Sequence, residues 1–150
     1  MAGIERRLAV HQQVGIDTSI FIYHLEAHPD YKPLTRTILT HIQNGTCYGV
    51  LSVVTVMELT VRPWQINRGD IARQYEVVLA NFPNLILVDV NRDIARHAAQ
   101  LRARYNLQPA DALLVATAQV NGATAWITND KRLKRLDPEI EIIILDDFIP

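Results

Sequence analysis

Residues Val14–Glu26, VGIDTSIFIYHLE, decide how the rest of the chain reads. QVGID begins as an apolar, strand-like run and ends on a carboxylate, Asp17. Thr18 and Ser19 follow. Ile20, Tyr23, Leu25 and Ala27 then recur at near-helical spacing. A strand handing over to a helix is the first half of a β–α unit. The acid at the join has a local explanation, capping of the helix. It also has a functional one, a ligand-binding edge.

The same alternation continues along the chain. HPDYKP, with Pro29 and Pro33, reads as a breaker. LTRTILTHIQNG carries Leu34, Ile38 and Ile42 every fourth residue, and Asn44-Gly45 marks its end. TCYGVLSV predicts a second strand, and VTVMELTVRPW a helix stopping near Pro63. NRGDIARQYEVVLANFP predicts a helix and NLILVD a third strand. NRDIARHAAQLRARYN predicts a helix capped by Asn91. PADALLVATAQVNG starts on Pro109, ends at Asn121-Gly122, and is apolar almost all round, so it belongs in the interior. ATAWITND and EIEIIIL are the fourth and fifth strands, with KRLKRL between them as a short basic helix or turn.

Strands separated by helices imply parallel βαβ units covered on both faces, an α/β fold. LILV and IIIL read as central strands buried on both sides. At 150 residues, one domain is expected. The single cysteine, Cys47, excludes an internal disulfide framework and a cysteine-rich zinc site. No apolar run approaches the roughly 20 residues that span a bilayer, and no signal peptide is evident, so a cytoplasmic protein with no membrane partner is expected. A net charge of −1 does not mark a nucleic-acid binder, so any anionic substrate needs local basic patches or a metal.

Ligands of open parallel sheets sit beyond the carboxyl ends of the strands. Four acids fall there: Asp17 after the first strand, Glu58 early in the helix after the second, Asp111 in the first turn of PADALLVATA, and Asp130 after the fourth. Singly, each is explained as a cap, a dipole partner or a solvated residue. Together at one rim they repel, and burying them is costly unless a cation neutralises them. Carboxylates suit Mg²⁺ or Mn²⁺. One or two such ions, about 3.5–4 Å apart if two, activate water and clamp a phosphate. Asp89 also ends a strand, but Asn91 and Asp93 beside it make it part of an ordinary helix start.

IDTSIFIY, SVVTVMEL, LQPADALLVATA and WITNDKRL, spanning residues 16 to 133, resemble the four sequence blocks of PIN-domain ribonucleases. The closest likeness is to VapC-type toxins of toxin–antitoxin modules. The resemblance implies a three-layer α/β/α fold with a five-stranded parallel sheet in order 3-2-1-4-5. It also implies one pocket holding Asp17, Glu58, Asp111 and Asp130, with Thr128 nearby. Asp89, two strands from the first, then lies roughly 10 Å away and stays a cap. Further implications are Mg²⁺- or Mn²⁺-dependent RNA cleavage leaving 5′-phosphate and 3′-hydroxyl ends, a cognate antitoxin, and a homodimer. Residues 1–12 are an N-terminal extension without an assigned role, with Ile4 and Leu8 one helical turn apart.

Asp17, Asp111 and Asp130 are the expected metal ligands, directly or through water. Glu58 is expected to orient metal waters or to accept a proton. Thr128 and Ser19 are candidates to hydrogen-bond a carboxylate or a metal water, with backbone capping as the alternative. Phosphate binding falls to Arg62, Arg68, Arg73, Lys131, Arg132, Lys134 and Arg135. Trp126, inside a strand, reads as core, and Trp64 as a surface for RNA, a dimer mate or an antitoxin. Three other classes compete. A haloacid-dehalogenase-like phosphatase wants a second acid where Ser19 stands, and a receiver wants paired acids that are missing. No GxGxxG or GxxxxGK[ST] marks a nucleotide module. A PIN-fold binding module that lost catalysis is the third, and the four intact acids argue against it, although intact acids do not prove activity.

Overall fold

The computed structural model describes residues 2–150, so Met1 of the N-terminal extension lies outside the described residues. Five strands are formed by the apolar runs: β1 (Gln13–Ile16), β2 (Tyr48–Ser52), β3 (Leu85–Val88), β4 (Ala125–Thr128) and β5 (Glu141–Ile144). The helices are α1 (Ala2–Ala9), α2 (Thr18–Leu25), α3 (Lys32–Gln43), α4 (Val54–Gln65), α5 (Gly69–Asn81), α6 (Arg92–Tyr105) and α7 (Pro109–Val120). Short 3₁₀ turns cover Lys131–Leu136 and Leu145–Phe148.

All strand pairs are parallel, in the order β3-β2-β1-β4-β5. Because side chains alternate along a strand, each strand feeds two cores. Val14, Ile16, Leu51, Ile127 and Ile143 face one core, together with Ile4, Leu8, Ile20, Ile38 and Leu79 of the helices on that side. Val50, Trp126, Ile142 and Ile144 face the other, with Ile94, Leu101, Leu114 and Val115 of α6 and α7. The result is a three-layer α/β/α sandwich. Trp126 is 2% exposed and is a core residue. Gly15 lets α7 approach β1. A Cβ there would lie 2.5 Å from Ala118 Cβ and 2.6 Å from Trp126 Cε3, closer than packing allows.

The N-terminal extension forms α1, which seats Ile4 and Leu8 in the first core. At the amino end of the sheet Arg7 lies 3.2 Å from Glu141, and His11 Nε2 lies 2.9 Å from the same carboxylate. A carboxylate only accepts, so His11 Nε2 carries a proton and donates. The other ring nitrogen is 2.7 Å from Thr124 Oγ1.

Five local expectations change. LILV is not central: β3 is an edge strand, and Ile86 is 51% exposed. β5 is the opposite edge, yet Ile142, Ile143 and Ile144 are buried, because helices and turns cover both its faces. Pro33 does not break the chain but sits in the first turn of α3, where its missing N–H has no helical partner to lose. Pro63 does not stop α4 either. The helix runs to Gln65, because the Ile66 N–H still reaches the Arg62 carbonyl at 3.1 Å. Asp89 is not the cap of α6; Asn91 is, its Oδ1 accepting from Ile94 N at 2.9 Å.

Candidate active site

β1 and β4 are neighbours where the sheet's winding reverses, and the crevice beyond their carboxyl ends is the site this topology offers. Asp17 leaves β1 directly into it. Its N–H donates to the Ile127 carbonyl at 2.9 Å, which ties the residue to β4. It occupies the N-cap position of α2, yet its carboxylate makes no capping hydrogen bond. Instead Thr128 Oγ1 donates to Asp17 Oδ2 at 2.5 Å. The same Thr128 oxygen accepts from the Asp130 N–H at 3.0 Å, so one hydroxyl links two of the acids.

Burial raises the Asp17 pKa to about 6, with the charges of Asp111 and Glu58 adding and the Thr128 hydrogen bond opposing. Asp111, in the first turn of α7, is also raised. Burial leads there, joined by Asp130 and Glu58 and countered by Arg132 and Arg135. Asp111 thus feels the charges of Glu58 and Asp130, and Asp17 those of Asp111 and Glu58, although the four come from the end of β1, α4, α7 and the end of β4.

Glu58 and Asp130, like Asp17, are held by neighbours. Thr18 Oγ1 donates to Glu58 Oε1 at 2.6 Å and is 2.9 Å from Thr55 Oγ1. The single Thr18 proton goes to the carboxylate, so Thr55 donates to Thr18. Asp130 caps the basic turn through Arg132 N at 3.0 Å and receives Nε and Nη2 of Arg132 at 3.0 and 2.7 Å. This bidentate pair holds the Asp130 carboxyl below its usual range. Asp111 has no side-chain hydrogen bond among the described residues.

The donor set is all carboxylate, and two of its members are destabilised in their charged forms, which suits a hard divalent cation. In their present rotamers no three His, Cys, Asp or Glu side chains among the described residues converge to hold an ion. Glu58 and Asp130 point to Thr18 and Arg132 instead. The set fits such an ion in kind, and Asp130 would have to leave Arg132 to join it.

The basic residues divide. Arg132 and Arg135 line a cleft of about 50 Å³ together with Asp111 and Asp130. Arg62 and Glu58 line a more apolar groove of about 220 Å³ between α2, α4 and α5. Lys131 lies 3.4 Å from Asp146 at the rim. Arg68 is paired with Asp70, Arg73 stands 5.7 Å over the Trp64 ring, and Lys134 lies 3.4 Å from Asp137. Trp64 is 55% exposed. The Ser19 hydroxyl is buried without a hydrogen-bond partner among the described residues.

Sequence reasoning passed over Thr18, Thr55, Asn129 and Asp146. Asp146 carried a signal, since IIIL ends on it as QVGI ends on Asp17. Its carboxylate accepts from Tyr31 at 2.6 Å, and Asn129 Nδ2 is 3.4 Å from it.

A family model described as the PIN domain matches residues 14–138. No curated protein matches. Among solved structures, a toxin–antitoxin complex from Klebsiella pneumoniae is similar over 88% of this chain and 97% of its own, at 21% identity and a TM-score of 0.66. VapBC2 from Rickettsia felis, bound to a promoter DNA fragment, covers 88% and 98% at 17% identity and a TM-score of 0.69. VapBC-1 from nontypeable Haemophilus influenzae covers 89% and 98% at 16% identity and a TM-score of 0.67. At such identities the likeness is one of fold, and it agrees with the sheet order and the layers described above. The family match spans most of the sequence and includes all four acids: this chain belongs to the PIN domain family.

Proposed function

We propose that this protein is a divalent-metal-dependent endoribonuclease, the toxin of a toxin–antitoxin pair. One observation carries the reading: four carboxylates from separate segments interact electrostatically at the carboxyl end of β1 and β4, with Asp17 shifted to about 6. A fold rarely keeps mutually repelling, part-buried acids without a ligand that neutralises them.

Asp17, Asp111 and Asp130 would hold Mg²⁺ or Mn²⁺, directly or through its waters. When bound, the ion supplies activation of water and charge neutralisation on the phosphate. Thr128 orients Asp17 through its donated hydrogen bond and leaves the other carboxylate oxygen for the ligand. Thr18, braced by Thr55, fixes the Glu58 carboxylate, whose second oxygen is then the group placed to take a proton. Arg132 and Arg135 beside the acids are the nearest charges for substrate phosphates, with Arg62 and Lys131 flanking. Arg68, Arg73 and Lys134 are engaged elsewhere and rank below them.

The toxin reading draws on the fold shared with chains from toxin–antitoxin complexes. A protein partner is also favoured by Met57, Val61 and Trp64, which form an exposed apolar stripe along α4 at helical spacing. An antitoxin and a second copy of the chain are the partners we assign to that helix and the adjoining groove. No helix among the described residues is long and apolar enough to cross a membrane, and we place the activity in the cytoplasm, where its substrate is.

The test is incubation with a mixed RNA pool in Mg²⁺, Mn²⁺ or EDTA, beside Asp17→Asn. Metal-dependent cleavage lost in the variant supports the nuclease. Equal decay in both, or binding without cleavage under every metal, overturns it in favour of a silent binding module.

A further inference from the structure

Beside the acids, three aromatic rings meet. Tyr23 on α2 and Tyr31 before α3 have centroids 4.4 Å apart, and His28 lies 4.6 Å from Tyr31 and 5.4 Å from Tyr23. All three stay partly exposed at the edge of the first core. The two tyrosine hydroxyls are anchored. Tyr31 Oη donates to Asp146, and Asn129 Nδ2 is 3.4 Å from both Tyr23 Oη and Asp146 Oδ1. Asn129 Oδ1 in turn accepts from the Asp146 N–H at 3.0 Å. Asn129 stands between Thr128, which touches Asp17, and Asp130. The aromatic cluster is thus fastened to the loop that carries the site.

Distance and charge fit an occupant that continues out of the site. Tyr23 on α2 lies six residues beyond the N-cap Asp17, a rise of about 9 Å along the helix axis, which is within the reach of a neighbouring nucleotide. Lys131, 71% exposed, stands on the same rim against Asp146. The three part-exposed rings offer π-faces on which a base stacks, whether or not the tyrosines keep their hydroxyls.

On the reading that RNA is the substrate, we propose that Tyr23, His28 and Tyr31 form a stacking platform for a nucleobase of the single strand, with Lys131 meeting an adjoining phosphate. Single-stranded RNA is recognised by splayed bases on Tyr and His rings, and such stacking tolerates every base.

The test uses the full chain and a fluorescent random single-stranded RNA, with an abasic strand of equal length as control. The parent is expected to favour the base-bearing strand by about tenfold. Tyr23→Leu and Tyr31→Leu should erase that preference while leaving abasic binding unchanged. Tyr23→Phe and Tyr31→Phe should keep it. Leucine variants that retain the preference, or phenylalanine variants that lose it equally, overturn the platform. Photocrosslinking of 5-bromouridine RNA to the parent gives a measure independent of variant folding. Adducts on these rings support the proposal, and adducts confined elsewhere overturn it. Cleavage by the parent with no base preference sinks the platform alone. A parent that neither binds nor cleaves either strand sinks the nuclease reading with it.

Discussion

The two ends of the sheet handle charge in opposite ways. At the amino end, Glu141 is met by Arg7 and His11, and its carboxyl is held below the usual range, although burial pulls the other way. At the carboxyl end, Asp17 and Asp111 face other acids, and both are pushed up. The first arrangement is complete without a ligand and fastens α1 to the body of the fold. The second leaves like charges facing one another, the arrangement that the proposed cation would neutralise. Matched charge marks structure, and unmatched charge marks a site.

The sharpest way to break this contrast is Asp17→Asn. Cleavage of an RNA pool in Mg²⁺ should fall roughly 100-fold or more. In EDTA at pH 7 the same variant should melt higher than the parent, because a destabilised charge has been removed. A variant that loses activity and also stability would mean Asp17 is structural.

The pH dependence of that gain follows from the sign of the shift. The folded Asp17 pKa, about 6, lies above its unfolded value of 3.8, so between these values the native state binds more protons than the unfolded one. Its neutral form therefore stabilises the fold at low pH, and that contribution is lost as pH rises through about 6. In EDTA the stability gap between Asp17→Asn and the parent should open between about pH 4 and 6, reaching about 2–3 kcal/mol at pH 7. Urea melts across that range measure it. A gap that does not change with pH would assign the variant's effect to something other than charge.

Glu58→Gln sharpens the carboxyl end further. The amide still accepts from Thr18, so the fold should hold, while kcat falls by about 10- to 100-fold. Unchanged turnover would leave Glu58 as a partner of Thr18 and nothing more.

The smallest effect belongs to the amino end. His11→Ala removes the contacts to Glu141 and Thr124 and should lower stability by about 1–2 kcal/mol in urea. Turnover below the melting transition should match the parent. A turnover loss comparable to that of Glu58→Gln would mean the two ends are coupled.

Local pattern was enough for much of this protein. Helix period, the Pro109 start, the Gly122 stop and the Asn91 cap are written in neighbouring residues, because they depend on backbone hydrogen bonds within a few positions. Pro33 and Pro63 misled in the same local terms, since a missing N–H matters only where a carbonyl awaits it. Strand position was not legible in LILV. The run is as apolar as IIIL, yet one edge is half open and the other covered, and that depends on which helices pack over each.

The sequence by itself determined a chain of strands separated by helices, with Asp17 and Asp130 just past strand ends and Glu58 and Asp111 early in helices, because period and punctuation are short-range. The resemblance carried by the order of those blocks added the expectation that the acids share one pocket. Only the tertiary structure decided what each acid touches. Thr128 reaches Asp17 across 111 positions and Thr18 reaches Glu58 across 40. Asn129 meets Tyr23 across 106. Pairings at such separations arise from strand order and helix packing, which no local spacing encodes.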